Sequence, residues 1–159
     1  MALKTRSIAL MKFGMALPKL QRIYKAAADK AVAPAGVSQT LAFPLVMLSR
    51  LGGSGAVRQS TLADALGIEA PSLARSLDQL VEAGLAERRD DPADRRAKTL
   101  HLTPSGGAAR DQIEARLHEM REVLFDGIPD ADIDTCLRVF ALLGQRLGSP
   151  LPEMPSSAP

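Results

Sequence analysis

The chain has 159 residues, 46% of them hydrophobic and 24% charged, with a formal net charge of +2. That length suits one domain, or one domain with an appended dimerisation element. The single cysteine, Cys136, excludes an internal disulfide framework and fits a reducing compartment. Aromatic residues make up only 3%, with no Trp and one Tyr. A core built from Leu, Ala, Val and Ile favours helices over sheets.

The small positive balance is unevenly spread. Residues 1–35 carry Lys4, Arg6, Lys12, Lys19, Arg22, Lys25 and Lys30 against Asp29 alone. The apolar run from Ile8 to Met11 is broken by Lys12 and is too short for a signal-peptide core. No stretch approaches the roughly 18 apolar residues of a spanning helix. The expectation is a soluble, cytoplasmic protein.

In chain order, residues 1–17 give a weak pattern, a short helix or a loose arm. Phe13, Leu17, Leu20, Tyr24, Ala27 and Ala31 then recur at spacings of three and four, a helical stripe. Pro18 reads as a first-turn residue, and Pro34 with Gly36 ends the helix. Phe43 to Leu51 reads as a short, very apolar helix closed by glycines 52, 53 and 55.

The most informative stretch follows. Ser60 is a plausible N-cap for a two-turn helix over residues 61–66, with Leu62, Ala63 and Leu66 on one face. Gly67-Ile68-Glu69 makes a three-residue turn with glycine at the helix exit. A second helix runs from about Pro71 to Ala83 on the stripe Leu73, Leu77, Leu80 and Val81, and Gly84 ends it. Two short helices joined by a tight glycine-containing turn form a helix-turn-helix.

Leu85 to Arg89 and Lys98 to Leu102 read as two strands around a charged tip, residues 89–96, so the hairpin forms a wing. Thr103-Pro104 reads as an N-cap followed by a first-turn proline. The rest is helical. Ile113, Leu117, Met120 and Leu124 form one stripe, broken at Gly127 and Pro129. Ile133, Leu137 and Phe140, with Leu143 and Leu147 beyond, form another. The Pro- and Ser-rich end is expected to be disordered. The fold class is therefore mainly α with a small β-hairpin wing. Residues 1–35 form an N-terminal dimerisation helix, 36–103 a winged helix-turn-helix lobe, 104–148 C-terminal dimerisation helices and 149–159 a tail.

A helix about 10–12 Å across fits a major groove roughly 12 Å wide, while the hairpin holds register on the phosphates. Ser72, Arg75, Ser76 and Gln79 are assigned to the exposed face of the second helix. Ser60 on the first helix and Arg88, Arg95, Arg96 and Lys98 on the wing complete the expected DNA contacts. Leu20, Ile113, Leu117, Ile133, Leu137 and Phe140 are the expected dimerisation residues, and Cys136 beside them is expected to be a buried, inert thiol.

The segment 59–67, the run 80–88 and the pattern Asp94-Arg95-Arg96 followed by Leu102-Thr103-x-x-Gly106 resemble the MarR (multiple antibiotic resistance regulator) family. The resemblance is strong over about residues 57–110. It implies a homodimer with interleaved terminal helices on a pseudo-palindromic operator in double-stranded DNA. It also implies that Arg96 enters the minor groove, oriented by Asp94. A ligand crevice would lie between the dimerisation region and the DNA-binding lobes, and the effector would be a small aromatic or phenolic molecule. Tyr24, Phe43 and Met47 are the candidate walls. The function expected is a repressor relieved by that ligand.

Two rival classes compete with this reading. Winged helices also dock proteins without binding DNA, but the Arg-rich wing and a recognition face free of acids before Asp78 speak against that. A small enzyme finds no support: the glycines at 52–55 lack a phosphate-loop pattern, and no nucleophile, base and oxyanion set converges. His101 and His118 stand apart from any cysteine or paired acid, so no metal, catalytic residue or cofactor is expected.

Overall fold

A computed structural model describes residues 2–52, 56–91 and 94–151, with the backbone alone at 2, 3, 39 and 95–97. Six α-helices and three strands occur among the described residues: α1 (Ala2–Val32), α2 (Gln39–Gly52), β1 (Val57–Arg58), α3 (Gln59–Leu66), α4 (Ala70–Glu82), β2 (Ala86–Asp91), β3 (Asp94–Leu102), α5 (Pro104–Phe125) and α6 (Asp130–Arg146). A single 3-10 turn, Ala33–Ala35, separates α1 from α2. The mainly helical class with a small wing holds.

The first helix is longer than its sequence suggests. It runs through Pro18 without a break, and residues 2–17 are part of it. An interior proline forfeits a backbone hydrogen bond and costs about 3 kcal/mol. The apolar stripe nevertheless starts at Phe13, ahead of the proline, and it marks the helix better than the breaker does. Similarly, α2 begins four residues before Phe43, and Pro44 is buried within it.

The core lies where α2 meets α3, α4 and α5. Leu45, Leu62, Leu73, Leu77, Leu80, Leu100, Ile113 and Leu117 are all essentially inaccessible there, joined by Val32 from the end of α1. Fully burying each such side chain contributes about 1.5–3 kcal/mol. Ile113 and Leu117, expected at a dimer face, therefore belong to this core instead. A stripe at helical spacing says that a face is covered, and here α1 and α2, both packed on α5, cover it. An ion pair between Arg50 Nε and Glu114 Oε1, 3.1 Å apart, pins α2 to α5 at the edge of the same seam.

The sheet has the order β1-β3-β2, all antiparallel. Residue Val57 lies opposite Leu100, and β2 pairs with β3 from Ala86 opposite Leu102 to Asp90 opposite Lys98. The ladder shifts register between Asp90 and Asp91, so the hairpin strands reach further toward the tip than the charged sequence suggests. Strand β1 is two residues long and leads straight into α3. Consequently α3 starts at Gln59 with Arg58 in the N-cap position, and Ser60 is not the cap.

At the far end of the wing, three residues lock the hairpin to α5. Thr103 caps the helix, its Oγ1 accepting from the Gly106 amide at 3.0 Å. The Thr103 and Ser105 hydroxyls both donate to the Gly84 carbonyl, at 2.6 and 2.8 Å. The Thr103 amide reaches the Leu85 carbonyl at 3.2 Å. The Leu-Thr-x-x-Gly pattern is thus a joint between the turn after α4 and the start of α5.

The candidate nucleic-acid interface

Helices α3 and α4 are joined at Gly67, whose φ of 61° is left-handed and suits glycine. Its amide donates to Asp64 O and that of Ile68 to Ala63 O, each at 3.2 Å, so the chain leaves α3 with its last carbonyls satisfied. Helix α4 then lies on the core through Leu73, Leu77 and Leu80. Three leucines on one side leave the other side free. Ser72, Arg75, Asp78 and Gln79 are exposed there. Among the described residues, Arg75 makes no hydrogen bond or ion pair.

Ser76 corrects the sequence reading. Only 4% exposed, it lies on the core side of α4, its hydroxyl turned back to the Ser72 carbonyl at 3.4 Å. Position 76 is three residues after Leu73 and four before Leu80, on the leucine face, and a serine bonded to the preceding turn needs no outside partner there, so its polar side chain is no sign of a surface residue. Together with its outer neighbours Ser72, Arg75 and Gln79 it lines a cleft of about 450 Å³, closed by Ser38, just before α2, and by Thr40 in its first turn. Ser60 is exposed on α3.

The wing is more strongly cross-linked than its sequence implies. Arg88 Nη2 lies 2.6 Å from Asp78 Oδ1, so a hairpin residue is paired with an exposed acid on α4. Arg58 from β1 reaches across to Asp91, with Nε at 2.8 Å and Nη2 at 2.7 Å from Oδ2. Asp91 is 7% exposed, and its charge is carried by that guanidinium. Arg89 pairs with Glu87, and Lys98 with Asp90 directly opposite on the ladder. The backbone of Arg95 and Arg96 belongs to β3, next to exposed Asp94, while their side chains, expected at the DNA, lie outside the described ones.

The proposed ligand walls do not gather at one cavity. Met47 is 7% exposed and part of the lobe core. Phe43 is half-buried on α2, and Tyr24 is half-buried at the α1–α5 seam, its hydroxyl accepting from Arg121 Nε at 3.5 Å. None of the three borders the cleft beside α4 or a second one of about 310 Å³ between residues 34–35 and α5.

The terminal helices carry apolar residues that nothing covers within one chain. Leu20 is 54% and Leu137 57% exposed, whereas Ile133 and Phe140 are half-buried. Phe140 faces Phe13, with ring centroids 6.2 Å apart, which brings the N-terminal half of α1 to α6. Cys136, expected to be buried, is exposed on α6. Of the expected tail, residues 152–159 lie outside the described ones. No single helix among the described residues is long and apolar enough to cross a membrane.

A helix-turn-helix seated on a leucine core, flanked by a braced hairpin and by long terminal helices, defines a winged helix-turn-helix transcription regulator. The MarR family signature matches residues 45–97, from α2 into the wing. The solved structure of transcriptional regulator PA3341 is 32% identical, over 86% of this chain and 98% of that one, with a TM-score of 0.76. The chain belongs to the MarR family. The same fold is found in a mutant of MarR from E. coli complexed with operator DNA, at 19% identity, 87% and 96% coverage and a TM-score of 0.74. It is found again in CouR from Rhodococcus jostii RHA1 bound to p-coumaroyl-CoA, at 23% identity, 92% and 95% coverage and a TM-score of 0.72.

Proposed function

We propose that this MarR-family regulator is a homodimeric repressor that binds a pseudo-palindromic operator and releases it on binding a small aromatic or phenolic effector. The observation that carries the DNA reading is Arg75. It is an exposed guanidinium with no partner among the described residues, on the free face of a helix anchored by leucines on the other. Arginine is the side chain best suited to a guanine edge in the major groove. Ser72 and Gln79 flank it, and Arg96 follows on the wing with the minor groove as its target. The operator complex of E. coli MarR, which shares the fold, supports this reading.

Replacing Arg75 with Ala is expected to weaken operator binding by about 1–3 kcal/mol and to relax preference at one base position per half-site. Binding measured across a set of single-base operator variants checks this. Unchanged binding removes Arg75 from the interface, and an equal loss on every sequence makes it a phosphate contact.

Dimerisation through α1 and α6 is supported by their uncovered apolar residues, Leu20 and Leu137 foremost. The effector class draws support from CouR, whose ligand carries a phenolic acyl group. Among aromatic acids, phenols and their thioesters, at least one is expected to lower operator affinity and raise the melting temperature. A panel in which no compound does either refutes the effector reading.

A further inference from the structure

Between Ala86 and Leu102 the hairpin holds Arg88, Arg89, Arg95, Arg96 and Lys98, yet also Glu87, Asp90, Asp91 and Asp94. Every cation there whose side chain is described is paired with an acid. Arg88 goes to Asp78, Arg89 to Glu87 and Lys98 to Asp90. The three acids are 64%, 44% and 76% exposed, and surface pairs of this kind add little to folding. Asp91 is different: nearly buried and holding Arg58, it braces the sheet. The three exposed acids therefore have no strong structural duty, and each holds one of the hairpin's cations.

We infer that Asp78, Glu87 and Asp90 are specificity-determining residues, internal counter-charges that compete with DNA phosphates for Arg88, Arg89 and Lys98. The inference rests on the DNA-binding reading and concerns which cations the phosphates can reach. Non-specific binding is almost wholly a matter of phosphates neutralised and counterions released. On an arbitrary sequence the wing slides until any free, flexible cation finds a phosphate, so each one added counts. On the operator the base contacts of α4 fix the register, and only cations aligned with a phosphate contribute. Withholding three cations thus weakens the first mode more than the second, which is specificity by a built-in penalty. Two unit charges about 4 Å apart in water interact by an amount worth roughly 5-fold in affinity, so three such acids are a substantial restraint.

The test uses the full chain carrying Asp78→Asn, Glu87→Gln and Asp90→Asn together, with a scrambled duplex and the operator as probes, over a range of salt. Scrambled-duplex affinity at low salt should rise on the order of 10- to 100-fold. Its log–log salt dependence should steepen by about 0.9 for each cation that newly meets a phosphate. Operator affinity should rise less, so the ratio of the two falls. A melting curve confirms folding, and Asp90→Asn alone serves if the triple variant is unstable. In that background Lys98→Gln should cost more non-specific affinity than it does in the parent protein. Unchanged scrambled-duplex affinity and salt slope, or equal gains on both duplexes, overturn the inference while leaving the DNA reading intact. A parent protein that binds neither duplex at any salt overturns the reading itself, and the inference with it.

Discussion

Replacing Gly106 with Ala is expected to destabilise the fold by about 3–5 kcal/mol, although alanine is the better helix former. A Cβ at residue 106 would stand 1.8 Å from the Leu85 carbonyl oxygen and 2.8 Å from its carbon. Both are backbone atoms and cannot swing aside. Either α5 withdraws from the turn after α4 or the turn is displaced. In each case the Thr103 amide loses Leu85 O and the two hydroxyls lose Gly84 O. The neighbouring glycine is the control. A Cβ at Gly107, in the same helix, meets nothing within 4 Å. Gly107→Ala should therefore stabilise by about 0.5–1 kcal/mol, the ordinary helix-propensity gain. Denaturant midpoints at one fixed protein concentration check both. The opposite signs at adjacent positions are the result to look for. Similar small effects would mean that α5 does not approach the turn this closely.

Gly106 also shows what the sequence tells and what it hides. The motif around it was legible as a cap because Thr103 before Pro104 has a local meaning, and the structure places the cap there. That Gly106 is a contact between two distant segments was not legible, since nothing local distinguishes it from Gly107. The same division runs through the molecule. Gly67, Gly84 and the leucine spacing located both helices of the motif because turn chemistry and periodicity act over a few residues. Ile113 and Leu117 lie in the lobe core and not at a dimer face because periodicity reveals a covered face without naming its cover, whereas Met47, a ligand wall only by resemblance, has no spacing that tells core from crevice. Ser76 was misassigned because a small hydroxyl satisfies itself on its own helix. Strand β1 was missed since two residues have no period. The wing's arginines and lysine were visible as charge, but their acidic partners come partly from another element, as Asp78 does for Arg88. Long-range pairing of that kind leaves no trace in composition.

Inserting five base pairs between the operator half-sites is expected to reduce affinity to near the non-specific level, a loss on the order of 1,000-fold or more. The argument runs through the terminal helices. In one chain the N-terminal half of α1 touches α6 through Phe13 and Phe140, yet Leu20 and Leu137 remain more than half exposed. On the dimeric reading a second copy covers them and fixes the two lobes relative to one another. A two-fold axis then relates two α4 helices, and both must enter the major groove from one face of the duplex. Half-site centres should lie about one helical turn apart, roughly 10 base pairs or 34 Å. Each wing would reach outward to a flanking minor groove, where A·T-rich sequence narrows the groove and strengthens its attraction for Arg96. Five extra base pairs turn one half-site by about half a turn, to the far side of the DNA, where a rigidly held lobe cannot follow. Ten extra base pairs restore the face but lengthen the span by about 34 Å, so they should not rescue binding either. A gel shift with the three spacings, on one protein preparation, measures this directly. If affinity survives the five-base-pair insertion, the lobes are not held as a rigid pair, and the apolar residues of α1 and α6 must be covered in some other way.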